Sequence, residues 1–95
     1  MATPEKKVKN KVCEILKAHD CYYFYASTGG YGASGVPDIV ACYKGNFIGI
    51  ECKANGNTPT ALQNKHLNNI KKAQGYSMVI DETDIDALEL FLKTL

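Results

Sequence analysis

The stretch Val36-Pro37-Asp38-Ile39-Val40-Ala41-Cys42-Tyr43-Lys44-Gly45-Asn46-Phe47-Ile48-Gly49-Ile50-Glu51-Cys52-Lys53 reads as one β-hairpin. Gly45-Asn46 sits between two apolar runs and is read as its two-residue turn. If that loop closes the hairpin, Asp38 faces Lys53 and Val40 faces Glu51. Side chains alternate along a strand, so positions 38, 40, 51 and 53 share one face. Ile39, Ala41, Ile48, Ile50 and Cys52 then fill the other. A loop of odd length sends Asp38 and Glu51 to opposite faces, so two carboxylates and a lysine meet only if the parity of the turn is right.

Two carboxylates a few ångströms apart repel each other, and burying them is costly unless something pairs with them. A divalent cation resolves that conflict. Mg²⁺ takes hard oxygen ligands and keeps several waters, so Asp38, Glu51 and the backbone carbonyl of Cys52 between the charged residues suit it. Lys53 beside such a cation can orient an attacking water or neutralise charge developing on a phosphate, which is the chemistry of in-line phosphodiester hydrolysis. The plainer reading is a cross-strand Asp38–Lys53 ion pair with Glu51 solvated. From the hairpin alone both readings stand.

Composition narrows the class. Ninety-five residues make one small domain with a modest core, 1–95 without an interdomain linker, repeat or low-complexity segment. No apolar run approaches a membrane span and the first residues lack a signal-peptide core, so an intracellular, cytoplasmic protein is expected. Cys13, Cys21, Cys42 and Cys52 form no CxxC pair and no Cys/His ligand spacing, and are read as buried thiols. The net charge of +1 hides an asymmetry. Residues 1–80 carry ten lysines against five acids, and residues 81–95 carry five acids against Lys93. Every basic residue is lysine, which attracts phosphate as a point charge without bidentate reading of base edges. A nucleic-acid partner would be held by backbone and shape. Ordinary solvated lysines explain the charge equally well.

Residues 4–19 read as an amphipathic helix, with Pro4 in the first turn and Val8, Val12, Ile15, Leu16 and His19 on one face. Glu5 lies on the edge of that inward stripe, placed either to reach inward or simply to favour the helix dipole. Residues 21–26 read as an aromatic strand. Residues 27–35 form a loop with four glycines and Tyr31 at its centre. It lacks the Gly-Lys-Ser/Thr of a Walker loop, and either approaches a phosphate backbone or merely connects. After the hairpin, with strands near 36–43 and 47–53, Thr60 and Gln63 match a capping box opening a helix. Leu62, His66, Leu67 and Ile70 form its stripe and Gly75 ends it. Residues 76–80 read as a strand, and residues 83–94 as an acidic helix with Ile85, Leu88, Phe91 and Leu92 inward. The order is αβββαβα.

Pro37-Asp38 followed by Glu51-Cys52-Lys53 matches the PD-(D/E)xK nuclease motif. A Glu-bearing first helix, Gly-x-Pro-Asp, the Gly-Ile-Glu-x-Lys strand and Thr-x-x-Gln opening the next helix occur in the same order as in the virus-type replication-repair nuclease (VRR-NUC) domain. The chain resembles that domain over nearly its whole length, in the stand-alone form carried by phages and bacteria. The resemblance implies an α/β fold with a restriction-endonuclease-like core, a mixed sheet flanked by helices. It also implies metal-dependent endonucleolytic hydrolysis of DNA, leaving 5′-phosphate and 3′-hydroxyl ends. Asp38 and Glu51 would hold Mg²⁺, or Mn²⁺ in its place, with the Cys52 carbonyl. Lys53 would be the catalytic lysine, and Glu5 would help hold the metal or its water shell. Gln63 would line the site, a role compatible with capping. Relatives tend to place an arginine on the strand before the glycine loop, where this chain has Tyr25.

Stand-alone relatives resemble Holliday-junction resolvases acting as homodimers, so branched DNA and a second copy are the expected partners, in a bacterial cell or phage-infected host. No membrane and no small-molecule cofactor are expected. A flap-, nick- or fork-directed nuclease and a catalytically silent DNA-binding or assembly module are the alternatives. Tyr31, Lys6, Lys9 and Lys65 are the candidate DNA contacts, with further lysines of both helices beside them. His66, on an apolar stripe, is read as packed rather than as a base.

Overall fold

The computed structural model describes residues 3–26 and 34–95. Pro4–Ala18 forms α1, with Thr3 as N-cap: its hydroxyl accepts from the Lys6 N–H at 3.1 Å. Tyr22–Tyr25 (β1), Ile39–Tyr43 (β2) and Asn46–Cys52 (β3) follow, then Ala61–Lys72 (α2), Tyr76–Ile80 (β4) and Ile85–Thr94 (α3). The sheet order is β1-β2-β3-β4; β1–β2 and β2–β3 are antiparallel and β3–β4 is parallel. This is the expected mixed sheet in the expected αβββαβα order. The parallel pair requires a crossover, and α2 supplies it. Among the described residues no helix is long and apolar enough to cross a membrane.

Strand alternation divides the sheet. Ile39, Ala41, Ile48, Ile50, Cys52 and Ile80 form one buried core with Val8, Val12 and Leu16 of α1 and Leu88 and Leu92 of α3. The opposite face receives α2. Gly49 has no room for a side chain, because a Cβ there would lie 2.7 Å from Ile70 Cδ1 of α2 and 3.0 Å from Pro37 Cγ. Ser77, paired with Gly49, donates its hydroxyl to the Leu67 carbonyl at 2.8 Å. Among the described residues no helix covers this face over β1 and β2, and Tyr22 and Phe24 are exposed there, as is Phe47 of β3.

The hairpin register differs from the expected one. Tyr43 pairs with Asn46 and Ile39 with Ile50, so the turn is Lys44-Gly45 and not Gly45-Asn46. Both turn residues have left-handed backbone (φ 51° and 80°), as a type I′ turn requires. Asn46 works instead from the first strand position, its amide donating to the Tyr43 carbonyl at 3.1 Å. The slip is two residues, so the parity survives. Asp38 now falls opposite Glu51 rather than Lys53, and the two carboxylates become cross-strand neighbours.

Two smaller expectations are corrected. Gly75 does not end α2: Ala73 is the C-cap and Gln74 takes the left-handed position (φ 71°). Gly75 is instead a close-approach site, where a Cβ would lie 3.0 Å from Ile70 Cγ2. The four free cysteines are not all buried either, because Cys42 points to the open half of the sheet and is exposed.

Candidate active site

The segment before β2 sets Asp38. Gly35 has φ 81°, and a Cβ there would lie 2.6 Å from Leu62 Cγ, so only glycine lets the chain pass under the first turn of α2. Val36 follows, then Pro37, buried against Gly49. The Asp38 carbonyl accepts from the Ala26 N–H at 3.0 Å, which ties the segment to the end of β1. The Asp38 carboxylate turns toward β3, where Oδ2 accepts the Cys52 N–H at 2.8 Å. That N–H has passed the end of the β2 ladder, so the aspartate continues the pairing with its side chain.

Glu5 of α1, Asp38 and Glu51 each bring a carboxylate oxygen within 4.8 Å of the other two. Glu5 lies at the edge of the inward stripe of α1, and the helix delivers it to this end of the sheet. Glu51 is 1% exposed and both of its oxygens lack a hydrogen-bond partner among the described residues. The Lys53 ammonium is 3.4 Å from Glu51 Oε2, close enough for attraction but outside hydrogen-bonding geometry. Burial, and next the Asp38 charge, push the Glu51 carboxyl up to about 7, against the opposing pull of Lys53. An orphaned buried carboxylate beside two more is a donor set that fits a hard divalent cation. Burial, with Asp38 beside it, also pushes the Cys52 thiol up to about 12, and its side chain belongs to the hydrophobic core.

A solved structure described as a "VRR_NUC domain" matches this chain with a TM-score of 0.77 and 22% identity, over 92% of this chain and 95% of that one. The chain has the VRR-NUC fold. No family model and no curated protein matches the sequence. The likeness therefore lies in the order and pairing of the elements rather than in extended sequence identity.

Within the VRR-NUC fold of this chain the remaining candidates fall in different places. Gln63 is engaged in the capping box: its Oε1 accepts from the Thr60 N–H at 2.9 Å and its own N–H reaches the Thr60 hydroxyl at 3.2 Å. Lys65 is exposed on α2. Lys6 sits over the Tyr25 ring, its ammonium 5.0 Å from the centroid, and the Tyr25 hydroxyl accepts from Cys13 Sγ at 3.3 Å. Tyr31 lies outside the described residues. His66 is half-buried and lines an apolar groove of about 320 Å³ with Phe47, Ile70 and Gly75, away from the carboxylates. From the sequence Lys9 is only a candidate DNA contact. The structure puts its ammonium 3.5 Å from Asp38 Oδ1. The signal was the four-residue spacing from Glu5, which places both on one side of α1.

Proposed function

We propose that the chain is a metal-dependent DNA endonuclease of the PD-(D/E)xK kind. The observation that carries this reading is the buried Glu51, with neither oxygen hydrogen-bonded, gathered with Glu5 and Asp38 and faced by Lys53. A bare structural pair offers no reason to bury a second and a third carboxylate together. In this reading Asp38, Glu51 and the Cys52 carbonyl hold the cation, and Glu5 holds it or its water shell. Bound Mg²⁺ or Mn²⁺ supplies Lewis-acid polarisation of the phosphate and a water of lowered pKa. Lys53 orients the attacking water and offsets the charge that grows on the phosphate. Attack on phosphorus with departure of the 3′ oxygen leaves 5′-phosphate and 3′-hydroxyl ends. Gln63, whose Oε1 is engaged in the helix cap, would line the site with its amide N–H₂ in this reading.

For substrate we favour a four-way DNA junction cut by a homodimer. A two-fold pair of sites at fixed separation suits symmetric paired cuts, and so small a chain gains core by dimerising. The lysine-only surface supports recognition of backbone and shape. Incubation of the protein with a labelled four-way junction, a flap and a linear duplex, each with Mg²⁺ or Mn²⁺, tests the reading. Paired symmetric cuts confined to the junction, lost in EDTA and in Lys53→Ala, are expected. Cuts in flaps or linear DNA instead keep the nuclease and discard the junction. DNA binding by folded protein with no cleavage of any substrate overturns the enzyme in favour of a binding module.

A further inference from the structure

Glu5 and Lys9 are four residues apart on α1, so one side of the helix brings an acid and a base to the same place. The lysines around Lys9 go elsewhere. Lys6 lies over Tyr25, and Lys7 and Lys11 are exposed. Lys9 is half-buried, its ammonium 3.5 Å from Asp38 Oδ1. The two oxygens of Asp38 are therefore held in different ways. Oδ2 takes a backbone N–H that the strand fixes, at 2.8 Å. Oδ1 faces an ammonium on a flexible four-carbon stem, which can leave.

The charge balance gives that difference a use. With all three carboxylates ionised, as a bound cation requires, Glu5, Asp38 and Glu51 against Lys9 and Lys53 leave one net negative charge, three carboxylates less two ammonium groups. The cluster is thus close to neutral by its own residues. A divalent cation among the same carboxylates turns that one negative charge into one positive charge. Lys9, which had faced two net negative charges, then faces groups whose charges sum to zero, and the cation competes with it for Oδ1. A lysine so displaced remains within a side-chain length of the carboxylates. A DNA phosphate approaching that cluster would be its nearest anion.

We propose that Lys9 is a displaceable counter-charge, held on Asp38 Oδ1 until a divalent cation takes its place and then free to bind a backbone phosphate of the DNA. This rests on the metal-dependent nuclease reading above. It adds a positioning residue that couples metal loading to substrate grip: with Lys9 present, cation and DNA each tighten the binding of the other, as linkage requires.

Isothermal titration of the full chain with Mn²⁺ tests the first half. Lys9→Met keeps the stem and removes the charge, and Lys7→Met removes the same charge from an exposed position on the same helix. Lys9→Met should bind Mn²⁺ about fivefold more tightly than wild type, the scale of one partly exposed ion pair, and Lys7→Met should match wild type. Lys9→Gln serves as the second variant if Lys9→Met folds poorly by circular dichroism. The second half is read from the salt dependence of binding to a labelled four-way junction, with Ca²⁺ and without it. Ca²⁺ should steepen the wild-type slope by about one phosphate contact, and Lys9→Met should lose that increment. Unchanged or weaker Mn²⁺ binding by both Lys9 variants, or a retained increment, overturns the role of Lys9 while leaving the metal site standing. Wild-type protein that binds no Mn²⁺ overturns the nuclease reading and this inference together.

Discussion

Glu51 is 1% exposed and lacks hydrogen-bond partners for either oxygen among the described residues, so its charge is costly. Its carboxyl is raised from 4.5 to about 7, by burial first and Asp38 second. A raised folded pKa means that the native state holds a proton which the unfolded chain has released. Without a divalent cation, stability therefore falls as pH rises from about 4.5 to about 7 and levels off beyond. The loss should be roughly 3 kcal/mol across that window, measured by urea denaturation in EDTA, and Glu51→Gln should remove most of it. The same proton competes with a cation, so divalent affinity should climb through neutral pH in wild type. Lys53 belongs to the chemistry in the proposed reading, not to the ligand set. Lys53→Met should abolish cleavage, while Mn²⁺ affinity by calorimetry is retained or tightened by the loss of a like charge.

At the scale of elements, four pieces aim the site: α1, the segment leading into β2, the β2–β3 hairpin, and the start of α2 packed over Gly35. Gly35 combines a left-handed backbone with a close approach to Leu62, so Gly35→Ala should cost about 2 kcal/mol or more in chemical denaturation by adding strain to a clash. Activity should drop further than stability accounts for, since Asp38 follows three residues later. The Thr60–Gln63 capping box is solvent-accessible at its Thr60 end, and Thr60→Ala should cost about 1 kcal/mol. The hairpin shows how much a local motif can mislead without harm. A turn shifted by one position moved each pairing by two residues and changed the partner of Asp38, yet left every side chain on its own face.

For the whole molecule, α1 and α3 cover one face of the sheet and α2 part of the other, and the carboxylates gather where α1 meets the ends of β2 and β3. A cation bound there ties a helix to two strands and is absent from the unfolded chain. Mn²⁺ at a hundredfold excess over its dissociation constant should therefore stabilise the protein by about 2.7 kcal/mol, seen as a rise in Tm that Asp38→Asn and Glu51→Gln abolish. No such rise in wild type would remove the metal site from the proposed function.

The element order, the capping box, the faces of β2 and β3 and the candidacy of Asp38, Glu51 and Lys53 were legible in the chain alone. These follow from periodicity and local backbone chemistry, which act between residues close in the chain. Glu5 was legible as an acid beside an apolar stripe, because a helix of known period fixes which side each residue takes. Packing between distant segments set the rest. The register of the hairpin rested on where Asn46 spent its amide. The exposure of Cys42 followed from a half-sheet that α2 leaves open. Lys9 met Asp38, and Glu5 joined Asp38 and Glu51, because α1 docks against the sheet. Distances between residues far apart in the chain are set by that docking, and no local pattern encodes them.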